Sequence, residues 1–138
     1  MFSKRIGLTI ASLAAVGLAG CVTTHGNLAS SAERLERSAS EMQADARNDG
    51  SSAYYRDAQE FAAEARDFNR TVEDRRADGD DVHDAFRDLS DRYHALRDEV
   101  ERSRDREAEL DFKPVTEAYL DVEREMRRVN DRDHYARD

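Results

Sequence analysis

The sequence predicts an all-α protein, an antiparallel up-down bundle of helices behind a short apolar leader. Three observations carry that expectation. Apolar residues recur at alternating spacings of four and three in successive segments, which lays one apolar stripe along each helix. No stretch alternates apolar and polar residues over the length of a strand. Proline occurs once, at Pro114, so a single residue in the chain both lacks an N–H and obstructs a helix. A composition of 38% charged and 38% hydrophobic residues would also suit a disordered chain. The regular spacing decides for a folded one.

The first stripe is Leu28, Ala32, Leu35, Ala39, Met42 and Ala46. Ser30-Ser31-Ala32-Glu33 fits a capping box, so this helix is expected to start at Ser30 after a lead-in over 27–29. Asn48-Asp49-Gly50 ends it, with Gly50 free to take the left-handed conformation past the last turn. The second stripe is Tyr54, Ala58, Phe61, Ala65, Phe68 and Val72. Asp78-Gly79-Asp80 then breaks the chain, and Asp80 or Asp81 can cap the next helix.

The third stripe is Val82, Phe86, Leu89, Tyr93, Leu96 and Val100; the fourth is Val115, Tyr119, Val122, Met126 and Val129. Between them, Asp111-Phe112-Lys113-Pro114 is read as the break, with Asp111 capping a helix whose first turn holds Pro114. The alternative is three helices, the last long and kinked near Pro114. Acid-before-base pairs at i,i+4 (Glu33/Arg37, Asp88/Arg92, Asp98/Arg102, Glu123/Arg127) each add about 0.2–0.5 kcal/mol to the helices. Short connections make sequential neighbours antiparallel. The first helix offers the core mostly alanine, a small-residue seam that permits close approach.

Ahead of the bundle, Met1 to Ile6 carry Lys4 and Arg5, and no charge follows from Gly7 to Gly20. A basic start, a short apolar run and small residues make an export signal over 1–20. The apolar run falls short of the roughly 20 residues that cross a bilayer. The remaining chain divides into a tether over 21–26 and a bundle domain over 27–138. No acid lies in 1–20, so the chain from Cys21 onward is two units more negative than the formal −9 of the whole. Such a chain repels nucleic acid, which is held through cationic contacts to phosphate. Cys21 is the only cysteine, so no intrachain disulfide forms and packing alone must stabilise the fold.

Histidine and acid form the candidate metal set. The bundle topology gathers His25, His83 and His134 at one end, beside Asp80, Asp81, Asp84, Asp131 and Asp133. Imidazole with carboxylate suits a divalent transition metal, and His83, His134, Asp80 and Asp84 are the candidate ligands. No pair has the HxxxH spacing that places two ligands on one helical face, so solvated end residues are the simpler reading. Haem lacks a CxxCH motif, and Met42 lies at the opposite pole from His134. The serines fall on helix starts or polar faces, outside any GxSxG turn, and no acid is marked as buried. No cofactor and no enzymatic role are expected. Beside a core-facing Tyr54, Tyr55 is the more exposed of the pair; it is expected to flank the core, and contact with a partner is the alternative to test.

Leu18-Ala19-Gly20-Cys21 resembles the lipobox of bacterial lipoproteins. The resemblance implies a diacylglyceryl group on the Cys21 thiol, cleavage before it by a lipoprotein-type signal peptidase that recognises Leu18, Ala19 and Gly20, and acylation of the new amine. Several acyl chains suffice for stable membrane anchoring. Val22 stands where an aspartate retains enterobacterial lipoproteins at the inner membrane, so the resemblance implies the periplasmic face of the outer membrane. The rest is similar to small helical envelope lipoproteins. It lacks the LTxxQ repeats of one class of periplasmic chaperone and the terminal lysine of Braun-type lipoproteins. The expected role is structural or in binding another protein. The alternatives are an acidic inhibitor or immunity-type lipoprotein against a cationic hydrolase or toxin, and a divalent-metal-binding lipoprotein.

Overall fold

The computed structural model describes residues 23–48 and 52–135, with side chains described for 27–48 and 54–131. Among them run four helices and no strand: α1 Thr23–Asn48, α2 Ser52–Glu73, α3 Gly79–Ser103 and α4 Arg106–Tyr135. The four apolar stripes form one core, in which Phe61, Phe68, Leu35, Leu89, Leu96, Val115 and Val122 are fully enclosed. Val72, Val82, Phe86 and Val129 are only partly buried. These four lie at the end of α2, the start of α3 and the end of α4, so the core thins toward the pole where α1 begins.

Sequential helices are antiparallel. Phe61 meets Tyr93 with ring centroids 6.2 Å apart, and Phe68, later on α2, meets Phe86, earlier on α3, at 6.1 Å. Arg34 on α1 reaches Asp121 on α4 at 2.9 Å and closes the circle. The backbones of α1 and α2, of α2 and α3, and of α1 and α4 approach closely, whereas α3 and α4 do so least. Side-chain size sets these spacings. Ala32, Ala39, Ala46, Ala58, Ala62 and Ala65 let α1 and α2 close up, while Phe86, Tyr93, Phe112 and Tyr119 hold α3 and α4 apart.

Three boundaries differ from the sequence expectation. α1 begins at Thr23, so Ser30 lies inside the helix and residues 23–26, assigned to the tether, are helical. Leu28 is buried on the first stripe, which requires helix before Ser30, and that burial outweighs a local capping option. At the α2–α3 turn the cap is Asp78 rather than Asp80 or Asp81. Its carboxylate accepts from the Asp81 N–H at 3.0 Å, and Asp81 accepts from the Asp78 N–H at 3.1 Å. The Asn48–Gly50 break falls largely outside the described residues.

The third boundary lies at Arg104-Asp105, not at Asp111–Pro114. Arg104 is left-handed (φ 53°, ψ 26°), and the Asp105 carboxylate caps α4 by accepting from the Glu107 N–H at 2.9 Å. Pro114 sits inside α4 on an exposed face, its ring next to solvent and the orphaned carbonyl of exposed Leu110 on the water side. The fourth stripe runs unbroken through it, with Ala108 and Phe112 buried ahead of Val115. Continuous burial holds the helix where a local rule would break it. Asp111 is thereby half-buried and accepts the Tyr54 hydroxyl at 3.4 Å.

Candidate functional site

The predicted lipidation residue Cys21 and the recognition residues Leu18, Ala19 and Gly20 lie outside the described residues, as do the side chains of His25 and His134. With α1 starting at Thr23, Val22 alone lies between Cys21 and the first helix. His83 is half-buried, Asp80 is exposed, and Asp84 pairs with Arg87 at 2.9 Å. Among the described residues no group of three or more His, Cys, Asp or Glu side chains is placed to hold a metal ion. No helix there is long and apolar enough to cross a membrane. Tyr55 is half-buried and packs against the core.

The α3–α4 seam combines stacked aromatic rings with hydrogen bonds between the two helices. Tyr93 and Tyr119 stack with centroids 3.8 Å apart and planes 5° from parallel. Phe112 stacks on Tyr93 at 5.5 Å, and Phe86 stacks on Tyr119 at 6.2 Å. Tyr93 donates toward Thr116 Oγ1 at 3.3 Å; Tyr119 donates to Ser90 Oγ at 2.9 Å. These contacts are reciprocal because α3 and α4 share a pattern. Phe86, Ser90 and Tyr93 recur at the same spacing as Phe112, Thr116 and Tyr119, and Glu99 with Arg102 recurs as Glu125 with Arg128. Both acid–arginine pairs form ion pairs. A local twofold therefore relates the two helices through the tyrosine stack. Burial raises the Tyr119 phenol above its ordinary value, partly offset by the bond to Ser90, so it stays protonated and donating.

Acids concentrate on a second feature, an open groove between α2 and α3 lined by Glu64, Asp88, Asp91, Arg92 and Ala95. Burial, then Asp88 and Asp67, raise the Glu64 carboxyl above its ordinary value, and Arg92 partly opposes them. Arg92 bridges to Glu60 at 2.6 Å across the same helices, not to Asp88 as the i,i+4 pattern suggests. Arg102 likewise pairs with Glu99 in place of Asp98, whereas Glu33–Arg37 and Glu123–Arg127 form as expected.

Among the described residues three polar ones are buried: Ser31, Asn69 and Glu125. The sequence places Ser31 at a helix start and marks no acid as buried, so Ser31 and Glu125 depart from expectation. They lie one turn from Arg34 and Asp121, whose bridge sets α1 beside α4. Glu125 Oε1 accepts from Arg128 at 2.6 Å. Asn69, also buried, donates to Glu36 at 2.8 Å. No family model, no curated protein and no solved structure matches the chain.

Proposed function

We propose that this chain is a lipid-anchored, non-enzymatic helical bundle on the periplasmic face of the outer membrane, with a structural or protein-binding role. The observation that carries the reading is Leu18-Ala19-Gly20-Cys21, behind a basic start and an uncharged run, close before a helix that begins at Thr23. Acid–arginine pairs spread over all four helices, such as Arg37–Glu33, Arg70–Asp67, Arg97–Glu101 and Arg127–Glu123, support a scaffold rather than one focused patch. The test is metabolic labelling with a palmitate analogue. Cys21→Ser abolishes the label and leaves the leader uncleaved; undiminished label in that variant ends the lipoprotein reading.

A second reading has one observation in its favour. In the groove of Glu64, Asp88 and Asp91 three acids stand against one arginine, Arg92, an acidic patch of the kind an inhibitor of a cationic hydrolase or toxin requires. Recovery of a basic envelope protein with the acylated chain, lost on Asp88→Asn with Asp91→Asn, would favour it. Recovery unaffected by those changes would favour the scaffold.

A further inference from the structure

α4 carries a second stripe, on the side away from the core. Leu110 and Leu120 are the exposed large hydrophobic residues among those described, at 59% and 46%. Between them stand Lys113 and Glu117, both exposed. Spacings of three, four and three place all four on one outer face of the helix. Neither Lys113 nor Glu117 takes part in an ion pair or side-chain hydrogen bond among the described residues, while Arg124, Arg127 and Arg128 on the same helix are all paired. Lysine before glutamate is also the weaker order for a pair within one helix.

The stripe reads apolar, basic, acidic, apolar, and turned end for end it becomes its own complement. We propose that α4 docks antiparallel on α4 of a second copy of this chain, about a twofold axis near Val115. Leu110 then meets Leu120 of the second copy, Lys113 meets its Glu117, and both contacts occur twice, as an isologous interface demands. A parallel pairing sets lysine on lysine and glutamate on glutamate, which costs rather than stabilises. An anionic lipid surface is a poorer match, because the stripe offers one charge of each sign. A single helical face buries less than the roughly 1,200–2,000 Å² of a stable complex, so the dimer is weak and favoured by confinement on a membrane. The two α1 starts lie at opposite ends of such a pair, which on one membrane sets the bundles along the surface. The inference stands whether or not Cys21 is acylated.

The full chain in mild detergent provides the test. Lys113 is the only lysine beyond Lys4, so carbodiimide coupling should yield a covalent dimer whose mapped link is Lys113 to Glu117. By sedimentation, Lys113→Glu or Glu117→Lys alone should weaken dimerisation at least about tenfold, because two attractive pairs become repulsive. The double exchange should restore it to within about threefold, since the complement is rebuilt with the signs reversed. Circular dichroism of each variant checks that the exposed changes leave the bundle folded. A parent chain monomeric at high micromolar concentration, a link mapped elsewhere, or single exchanges that dimerise like the parent would each overturn the proposal.

Discussion

Tyr93 and Tyr119 stack face to face across α3 and α4, and each hydroxyl crosses to the helix that carries the other ring. An aromatic pair prefers an offset or tilted arrangement when nothing else orients it. Here the two crossing hydrogen bonds and the flanking Phe86 and Phe112 fix both rings parallel. The seam with the least backbone approach is thus held by side chains alone.

Tyr119→Phe removes the bond to Ser90 and is expected to cost about 0.5–1.5 kcal/mol in urea unfolding. Tyr119→Ala should cost about 3–5 kcal/mol, the range for removing a buried aromatic ring. A double-mutant cycle with Tyr93→Ala should return a coupling of about 0.5–1.5 kcal/mol. Additive effects would contradict the stack.

Pro114→Ala should stabilise the protein by about 1–3 kcal/mol, because it restores the hydrogen bond to Leu110 in a continuous α4. Were a helix to begin at Asp111, the same change would be neutral or harmful. Thermal melts of the two proteins decide the matter.

Arg104→Gly should add up to about 1 kcal/mol, since glycine takes the left-handed conformation without the contact of Cβ with the backbone. A β-branched residue there should cost at least as much. Denaturant midpoints at a common slope are the measurement.

Glu64 makes stability depend on pH. Its folded pKa is raised, so the folded protein holds that proton more tightly than the unfolded chain. The group therefore destabilises the fold at neutral pH. The penalty fades as pH falls through the raised folded value and is gone below the unfolded one. Glu64→Gln should be more stable than the parent at pH 7, by less than about 1 kcal/mol because much of the group meets solvent. The difference should vanish near pH 4, and a constant offset across that range would show that titration is not its cause.

The apolar stripes were largely legible, because burial along a helix leaves a periodic trace, although Val72, Val82, Phe86 and Val129 are only partly buried. Each of Leu28, Ala32, Leu35, Ala39, Met42 and Ala46 is buried as its spacing implies. Helix ends were legible only in part. Ser30 and Asp111 carry good local capping chemistry, yet Leu28 and Phe112 are buried on the stripes that run through them. The extension through Ala108 and Phe112 was present in the spacing and is the signal that argues against the break at Pro114. The crossing tyrosine bonds were also foreshadowed, by the shared Phe, Ser/Thr and Tyr spacing of α3 and α4. The ion pairs of Arg92 and Arg34 were not, since each joins helices whose relative rotation no local pattern records.

The chain has no tryptophan, so its near-ultraviolet circular dichroism is dominated by tyrosine and phenylalanine. Two tyrosines held rigidly ring on ring contribute far more to such a spectrum than rings free to rotate. The protein therefore carries its own optical gauge of the α3–α4 seam. If that spectrum fades before the helical signal does, the seam has parted while the helices persist. The first event in unfolding can then be read without a label.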